Sequence, residues 1–319
     1  MLKRITALSI GILSINTAVA LPLASIDHIY FFGDSLTDSG FNDSLQQALP
    51  VGKAPTFTTF RGFTWSQYLA RDIKGIELPI YPGPIPADTI TNNTTCQVPE
   101  YCSGLLNGFN YAAAGSKTNS EGMPYSFAPS LHQQVEKFLN THESGIHDND
   151  IFFIWEGTND ILAQLDGASS LDKMKKIAIT AASDLATEVE NLSKKGAKRF
   201  ILLNMLNIGL TPLGSLDPSE GAREKFIMQM GEVAFAFNDT LKQKSVTLQS
   251  KYSIKIKIID ASNILNTMSE NKTDPACGEN TSFFCTVDSN QHVFADLVHP
   301  TDFAHRLLSL KVIEEIKMW

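Results

Sequence analysis

Hydrophobic positions along this chain fall into two different periods, and their alternation predicts the architecture. Short continuous apolar runs occur at residues 29–32, within 150–160 and at 200–203, each stopping at glycine or at polar residues. Runs of that length and composition are expected of strands buried on both faces, as in a parallel sheet covered by helices. Between them the period changes. Leu171, Met174, Ile177, Ala181, Leu185, Val189 and Leu192 recur at three- and four-residue steps until Gly196, which predicts an amphipathic helix. Phe226, Met230, Val233, Phe237 and Leu241 form a second such stripe. A shorter helix is expected over 130–139, another from near Ser39, and a terminal one from about Thr301. Residues 252–260 alternate strictly, with Ile254, Ile256 and Ile258 on one face and Lys255 and Lys257 on the other. Period two with lysines predicts a strand at a sheet edge. Residues 107–116 read as one further short strand, ending in small residues at Gly115. Strand–helix alternation over the chain predicts one doubly wound α/β domain.

Two stretches break the pattern. Residues 50–108 are rich in Pro, Gly, Thr and Asn, with Pro79, Pro82, Pro84 and Pro86, and predict a long excursion without regular structure. Its aromatic residues Phe57, Phe60, Phe63 and Trp65 either pack it onto the core or line a pocket for an apolar substrate. Residues 261–297 lose regular pattern too, and carry the apolar pair Phe283 and Phe284.

The first 20 residues differ from the rest. Lys3 and Arg4 precede an apolar core at residues 5–15, and Ala18-Val19-Ala20 follows as a small-x-small cleavage pattern. This predicts a signal peptide over 1–20, a secreted protein, and a mature single domain over 21–319. Beyond it no run of about 20 apolar residues occurs, so an integral membrane protein is not expected.

The 319 residues carry a net charge of −8, and no Lys/Arg cluster interrupts the acidic balance. Nucleic acid is therefore a poor partner, and lipid contact would run through apolar surface. The four cysteines form two close couples, Cys96 with Cys102 and Cys277 with Cys285. In an exported chain this spacing favours local bridges, although several connectivities remain open. No His stands at ligand spacing from them, so neither a metal nor another cofactor is expected. His28, His132, His142, His147, His292 and His305 read as surface or packing residues; the alternative of a metal site on His142-Glu143 and His147-Asp148 is disfavoured because the spacing of such sites is missing.

Four strand-end segments carry candidate chemistry: Ser35, Gly115, Asn159, and Asp296 with His299. Ester cleavage through an acyl-enzyme needs a hydroxyl nucleophile, a base, a group that orients the base, and donors for the oxyanion. No Gly-x-Ser-x-Gly elbow occurs, which argues against the α/β-hydrolase arrangement. Gly33-Asp34-Ser35-Leu36, residues 110–115, Gly157-Thr158-Asn159-Asp160 and Asp296-Leu297-Val298-His299-Pro300 stand in order along the chain. With these blocks the chain resembles a GDSL-type member of the SGNH hydrolase superfamily.

The resemblance implies a three-layer, flavodoxin-like fold with a five-stranded parallel sheet in the order 2-1-3-4-5. It implies Ser35 as nucleophile, His299 as base and then acid, and Asp296 as the residue orienting His299. The backbone N–H groups of Ser35 and Gly115, with the Asn159 side chain, would form the oxyanion hole. Asp34, Asp38 and Asp160 are expected to brace or cap. Two residues depart from the family pattern: Ala114, where a second Gly is common, and Glu156, read as a solvated neighbour or a headgroup contact.

Within the superfamily the blocks are most similar to exported bacterial lysophospholipase A, phospholipase A and glycerophospholipid:cholesterol acyltransferase enzymes. The implied substrates are lysophospholipids or phospholipids, with cholesterol as an acyl acceptor. Phe57, Phe60, Phe63, Trp65, Phe283 and Phe284 would bind the acyl chain. Some of these relatives carry a disulfide loop before the catalytic Asp. The Cys277–Cys285 segment occupies that place, which makes an activating protease a candidate partner. A secreted carbohydrate or short-chain esterase is the alternative reading. A non-catalytic binding module is the third, and the intact set of Ser35, Gly115, Asn159, Asp296 and His299 speaks against it.

Overall fold

The computed structural model describes residues 23–39, 57–59, 62–75, 110–120, 128–142, 145–165, 169–269, 274–278 and 291–319. Expectations placed on the segment 1–20, on a helix beyond Ser39, and on Phe60, Phe283, Phe284, Cys96, Cys102 and Cys285 lie outside these residues. So does the pairing partner of Cys277.

Four strands form one parallel sheet: β1 (Ile29–Gly33), β2 (Ile151–Trp155), β3 (Arg199–Leu203) and β4 (Lys255–Ile259), in the spatial order β1-β2-β3-β4. The strand expected over 107–116 is not one among the described residues. It is reduced to a single parallel bridge between Phe31 and Asn110, continued by hydrogen bonds from Tyr111 N–H to the Phe31 carbonyl and from Ala113 N–H to the Gly33 carbonyl. The chain turns away at Gly115, whose φ of +83° is in the left-handed region. Ala112 and Ala114 there donate instead to side chains, Asn110 Oδ1 and Asp38 Oδ2. The bridge lies on the side of β1 away from β2, so the described sheet has four strands with that segment along one edge. The lysine-bearing strand, β4, is the other edge, as its alternation predicts.

Seven α-helices are described: α1 (Trp65–Lys74), α2 (Leu131–Thr141), α3 (Thr158–Leu162), α4 (Leu171–Lys194), α5 (Ala222–Tyr252), α6 (Ala261–Ser269) and α7 (Asp302–Lys317). Two of them correct the reading of irregular stretches. α1 lies inside the Pro- and Gly-rich excursion, with Gln67 closing a capping box on Thr64. α6 begins the region where pattern fades; its buried apolar residues are only Ala261 and Leu265, separated by Ser, Asn and Ile. α2, α4 and α7 begin where their caps predict, on Ser130, Ser170 and Thr301.

The pleat sorts side chains onto two covered faces. Tyr30, Phe32, Phe152, Ile154, Phe200 and Leu202 face one cluster, under α2, α4 and α5. Their neighbours Ile29, Phe31, Ile151, Phe153, Ile201 and Leu203 face the other, under α1, α6 and α7. This is the three-layer arrangement, and its consequence is positional. Every β-strand ends at the same edge, where the functional turns begin.

Candidate active site

The turn after β1 is built to hold a side chain rigidly. Gly33 has φ +146°, and a Cβ there would lie 2.2 Å from the Trp155 carbonyl oxygen, so only glycine lets β1 and β2 end this close together. Asp34 then organises the turn, accepting from Leu36 N–H through Oδ1 at 2.9 Å and from Thr37 and Asp38 N–H through its carbonyl. Gln134 of α2 grips the same point from behind. Its Oε1 accepts from Gly33 N–H, and its Nε2 donates to the Gly33 carbonyl, both at 2.9 Å. Ser35 is left 8% exposed, at the floor of the edge.

His299 arrives on the loop before α7. Its Nε2 lies 2.8 Å from Ser35 Oγ, and its Nδ1 lies 2.8 Å from Asp296 Oδ2. A carboxylate only accepts, so Nδ1 carries the proton and Nε2 is free to accept from the Ser35 hydroxyl. Asp296 is itself fixed by the N–H groups of Val298 and His299, which donate to Oδ1 at 2.9 and 2.8 Å. Burial pushes the Asp296 carboxyl up, but the adjacent imidazole and these hydrogen bonds outweigh it and hold the group down at about 2. Burial pulls His299 down, and the Asp296 carboxylate with its hydrogen bond, aided by Asp34, carries it above its ordinary value. The result is a hydroxyl, a base and an orienting carboxylate in hydrogen-bonded series.

The segment 110–118 is clamped between the turns that follow β1 and β2. Asn110 Nδ2 donates to the Thr37 carbonyl at 3.0 Å and to Ser39 Oγ at 2.7 Å. Asp38 Oδ2 accepts from Ala114 N–H at 2.8 Å, so the Ala114 position is tied down through its backbone despite lacking a second glycine. Asp160 accepts from Thr118 N–H and Oγ1. Asn159 Nδ2 donates to the Ser116 carbonyl at 2.8 Å, which aligns the amide and leaves its second N–H for another acceptor. Gln134 had no sequence signal as a functional residue; Asn110 lay inside a recognised block without a role.

Glu156 corrects the expectation of a solvated neighbour, for it is only 2% exposed. Oε1 accepts from Gly157 N–H at 3.0 Å, and the Ser116 hydroxyl interacts with the same carboxyl without offsetting its burial. Burial first, then the nearby Asp34 and Asp160, push its pKa well above the ordinary range. Burial likewise lifts Asp34 to about 7, with Asp160 and Asp38 adding to it, and Asp160 to about 6, with Asp184 adding to it. Burial and acidic neighbours together favour the neutral acid at Glu156.

Because the folded pKa is raised, the folded state holds the Glu156 proton more tightly than the unfolded chain does. That contribution is complete below the unfolded value and is lost as pH rises through the folded value. Glu156→Gln, which keeps an acceptor for Gly157 N–H, should therefore gain stability over the parent between pH 5 and pH 8. The gain is expected to grow as pH rises across that range. Urea denaturation of both proteins at several pH values checks this, and a difference independent of pH would contradict it.

The aromatic candidates separate. Phe57 is buried with its ring centroid 4.9 Å from that of His299. Trp65 is core and not pocket: it is fully buried, edge-on to Phe31 and Trp155, with Nε1–H donating to Thr37 Oγ1 at 3.2 Å. It bridges α1 to the Ser35 turn, and burial of so large an apolar ring favours a core position. Phe63 is half-buried and packs edge-on against Tyr68. His305, read as a packing residue, is buried with Nδ1 accepting from Trp65 N–H, and burial holds its pKa down at about 3.

This geometry agrees with what the sequence matches. The chain belongs to the GDSL-like lipase/acylhydrolase family, whose family model matches residues 29–312. It is a carboxylic ester hydrolase of the GDSL esterase/lipase kind. Among its relatives, one GDSL esterase/lipase of Arabidopsis thaliana is 24% identical over 96% of this chain and 93% of its own length. Another from the same plant is 25% identical over 96% of this chain and 94% of its own. A crystal structure of a lipolytic G-D-S-L family protein from Veillonella parvula superposes with a TM-score of 0.45 at 17% identity, covering 90% of this chain and 96% of that one.

Proposed function

We propose that this hydrolase releases fatty acyl groups from lysophospholipids or phospholipids through an acyl-serine intermediate. The observation that carries the chemistry is the hydrogen-bonded series from Ser35 Oγ through His299 to Asp296. In this reading Ser35 Oγ attacks the ester carbonyl and His299 Nε2 takes its proton. The tetrahedral oxyanion is received by the N–H groups of Ser35 and Gly115 and by the second N–H of Asn159. His299 then returns the proton to the departing alcohol, leaving the acyl group on Ser35. Water, activated by the same imidazole, releases the fatty acid; a sterol hydroxyl in its place would make the enzyme an acyltransferase.

The preference for a lipid acyl chain is supported by Phe57 packed beside His299 and by the likeness of the sequence blocks to lipolytic enzymes. Secretion is supported by the order of basic, apolar and small residues in the segment 1–20.

The test is fatty-acid release from lysophospholipid, diacyl phospholipid and an acetylated sugar, with cholesterol added in a second series. Release from lysophospholipid at least tenfold above deacetylation is expected. Activity confined to the acetylated sugar would replace the lipid reading with the carbohydrate esterase one.

A further inference from the structure

The end of the sheet opposite the catalytic turn brings together side chains that the hydrolytic chemistry does not use. His28 immediately precedes β1 and Asp150 immediately precedes β2. The parallel register sets them side by side, with Ile151 N–H donating to the His28 carbonyl at 3.0 Å. His147 joins them through a tight turn. In it Asp150 N–H donates to the His147 carbonyl at 3.1 Å, and Asp150 Oδ2 accepts from His147 N–H at 2.8 Å. One potential ligand atom from each of the three residues lies within 4.8 Å of the others.

We infer that His28, His147 and Asp150 form a binding site for a divalent first-row transition metal of the zinc class. Two imidazoles with one carboxylate suit such an ion, and would leave positions for water. Asp150 is fully buried while the side chains of His28 and His147 are 36% and 49% exposed, so a fixed anchor faces two ligands that an ion can reach from solvent. His28 Nδ1 and Asp150 Oδ1 are 2.9 Å apart, close to the edge of a coordination polyhedron with bonds of about 2.0–2.1 Å. The metal takes the place of the proton they share, and that proton passes to solvent.

An ion pair alone would account for His28 and Asp150. It does not account for the His147 ring, which stands edge-on to His28 at 5.0 Å while its backbone, not its imidazole, serves Asp150. Asp27 adds a second carboxylate 4.0 Å from His147 Nδ1. Lys74 is the opposing charge nearby, and its ammonium is already committed to the carbonyls of Ile26 and Asp27. No ligand spacing shows in the sequence because the residues come from two strand starts, His28 and Asp150 being 122 positions apart. A bound ion would tie the start of β1 to the turn that leads into β2.

The test uses the full chain after EDTA treatment, with Co²⁺ as a visible-absorption probe and Zn²⁺ in calorimetry. Saturation at one equivalent is expected, with a melting temperature raised by roughly 4 °C at a hundredfold excess over Kd. His147→Ala should weaken binding at least tenfold, whereas His132→Ala, at a distant half-exposed histidine paired with Glu188, should leave it unchanged. If His147→Ala lowers the melting temperature of the metal-free protein, His147→Gln gives the same comparison with volume kept. Absence of saturable Co²⁺ binding in the parent, or equal binding in the His147 variants, overturns the inference.

Discussion

Ser35→Ala is expected to reduce kcat for ester hydrolysis by roughly 10⁴-fold or more while leaving the fold intact. The hydroxyl oxygen is the only heavy atom lost, and its partner is His299 Nε2 at 2.8 Å, on a side chain that stays 14% exposed. A stability change within about 1 kcal/mol follows from removing one such group. Because nucleophile and base act as a unit, His299→Ala should cost about as much as Ser35→Ala. The double variant should be no worse than either. Steady-state kinetics on a soluble ester, with thermal melting as the control, decides the matter. An alanine variant retaining activity within tenfold of the parent would remove Ser35 from the reaction.

The sequence made legible whatever depends on local pattern. The runs at β1 and β2 are apolar at every position because both faces are covered, and the stripe from Leu171 to Leu192 marks the one face of α4 that must be buried. The spacing of Asp296 and His299 lets a carboxylate fold back onto its own imidazole, and the structure has that contact. What escaped depends on packing between distant segments. α1 is hidden in a Pro- and Gly-rich stretch because its stability comes from Trp65 and Leu69 entering the core under α7, not from helix propensity. Sequence alone leaves Trp65 between core and pocket for the same reason. Glu156 looked solvated because a charge after a strand usually is. Its burial follows from Gly157, where a Cβ would lie 2.6 Å from the Phe237 ring, so α5 closes over the turn. Gln134 has no motif at all, and only the approach of α2 to the end of β1 gives it a role.

Asp296→Asn should lower kcat/KM by about 10⁴-fold through the tautomer of a neighbour instead of through any group touching substrate. Asp296 Oδ1 accepts from the N–H groups of Val298 and His299, so the carbonyl oxygen of an asparagine will stay with those donors. Its NH₂ group then faces His299 Nδ1, which must accept. The imidazole proton moves to Nε2, where it can no longer take the proton of Ser35. The pH profile separates this from simple loss of fold. In the parent, His299 must be neutral to act as base, and its pKa lies above the ordinary 6.5, so kcat/KM should rise with pH on a limb centred above that value. In the variant the Asp296 charge that raised it is gone and burial still lowers it, so the limb of the residual activity should move to lower pH. Stability carries the opposite sign from that at Glu156. A carboxyl depressed from 3.8 to about 2 stabilises the fold above its unfolded value and loses that contribution as pH falls through the folded one. The stability gap between parent and Asp296→Asn should therefore open as pH rises from about 2 to 4, be widest from there to the unfolded histidine value of 6.5, and narrow again as pH rises through the folded His299 value. An unchanged acid limb in the variant would mean that Asp296 does not set the charge state of His299.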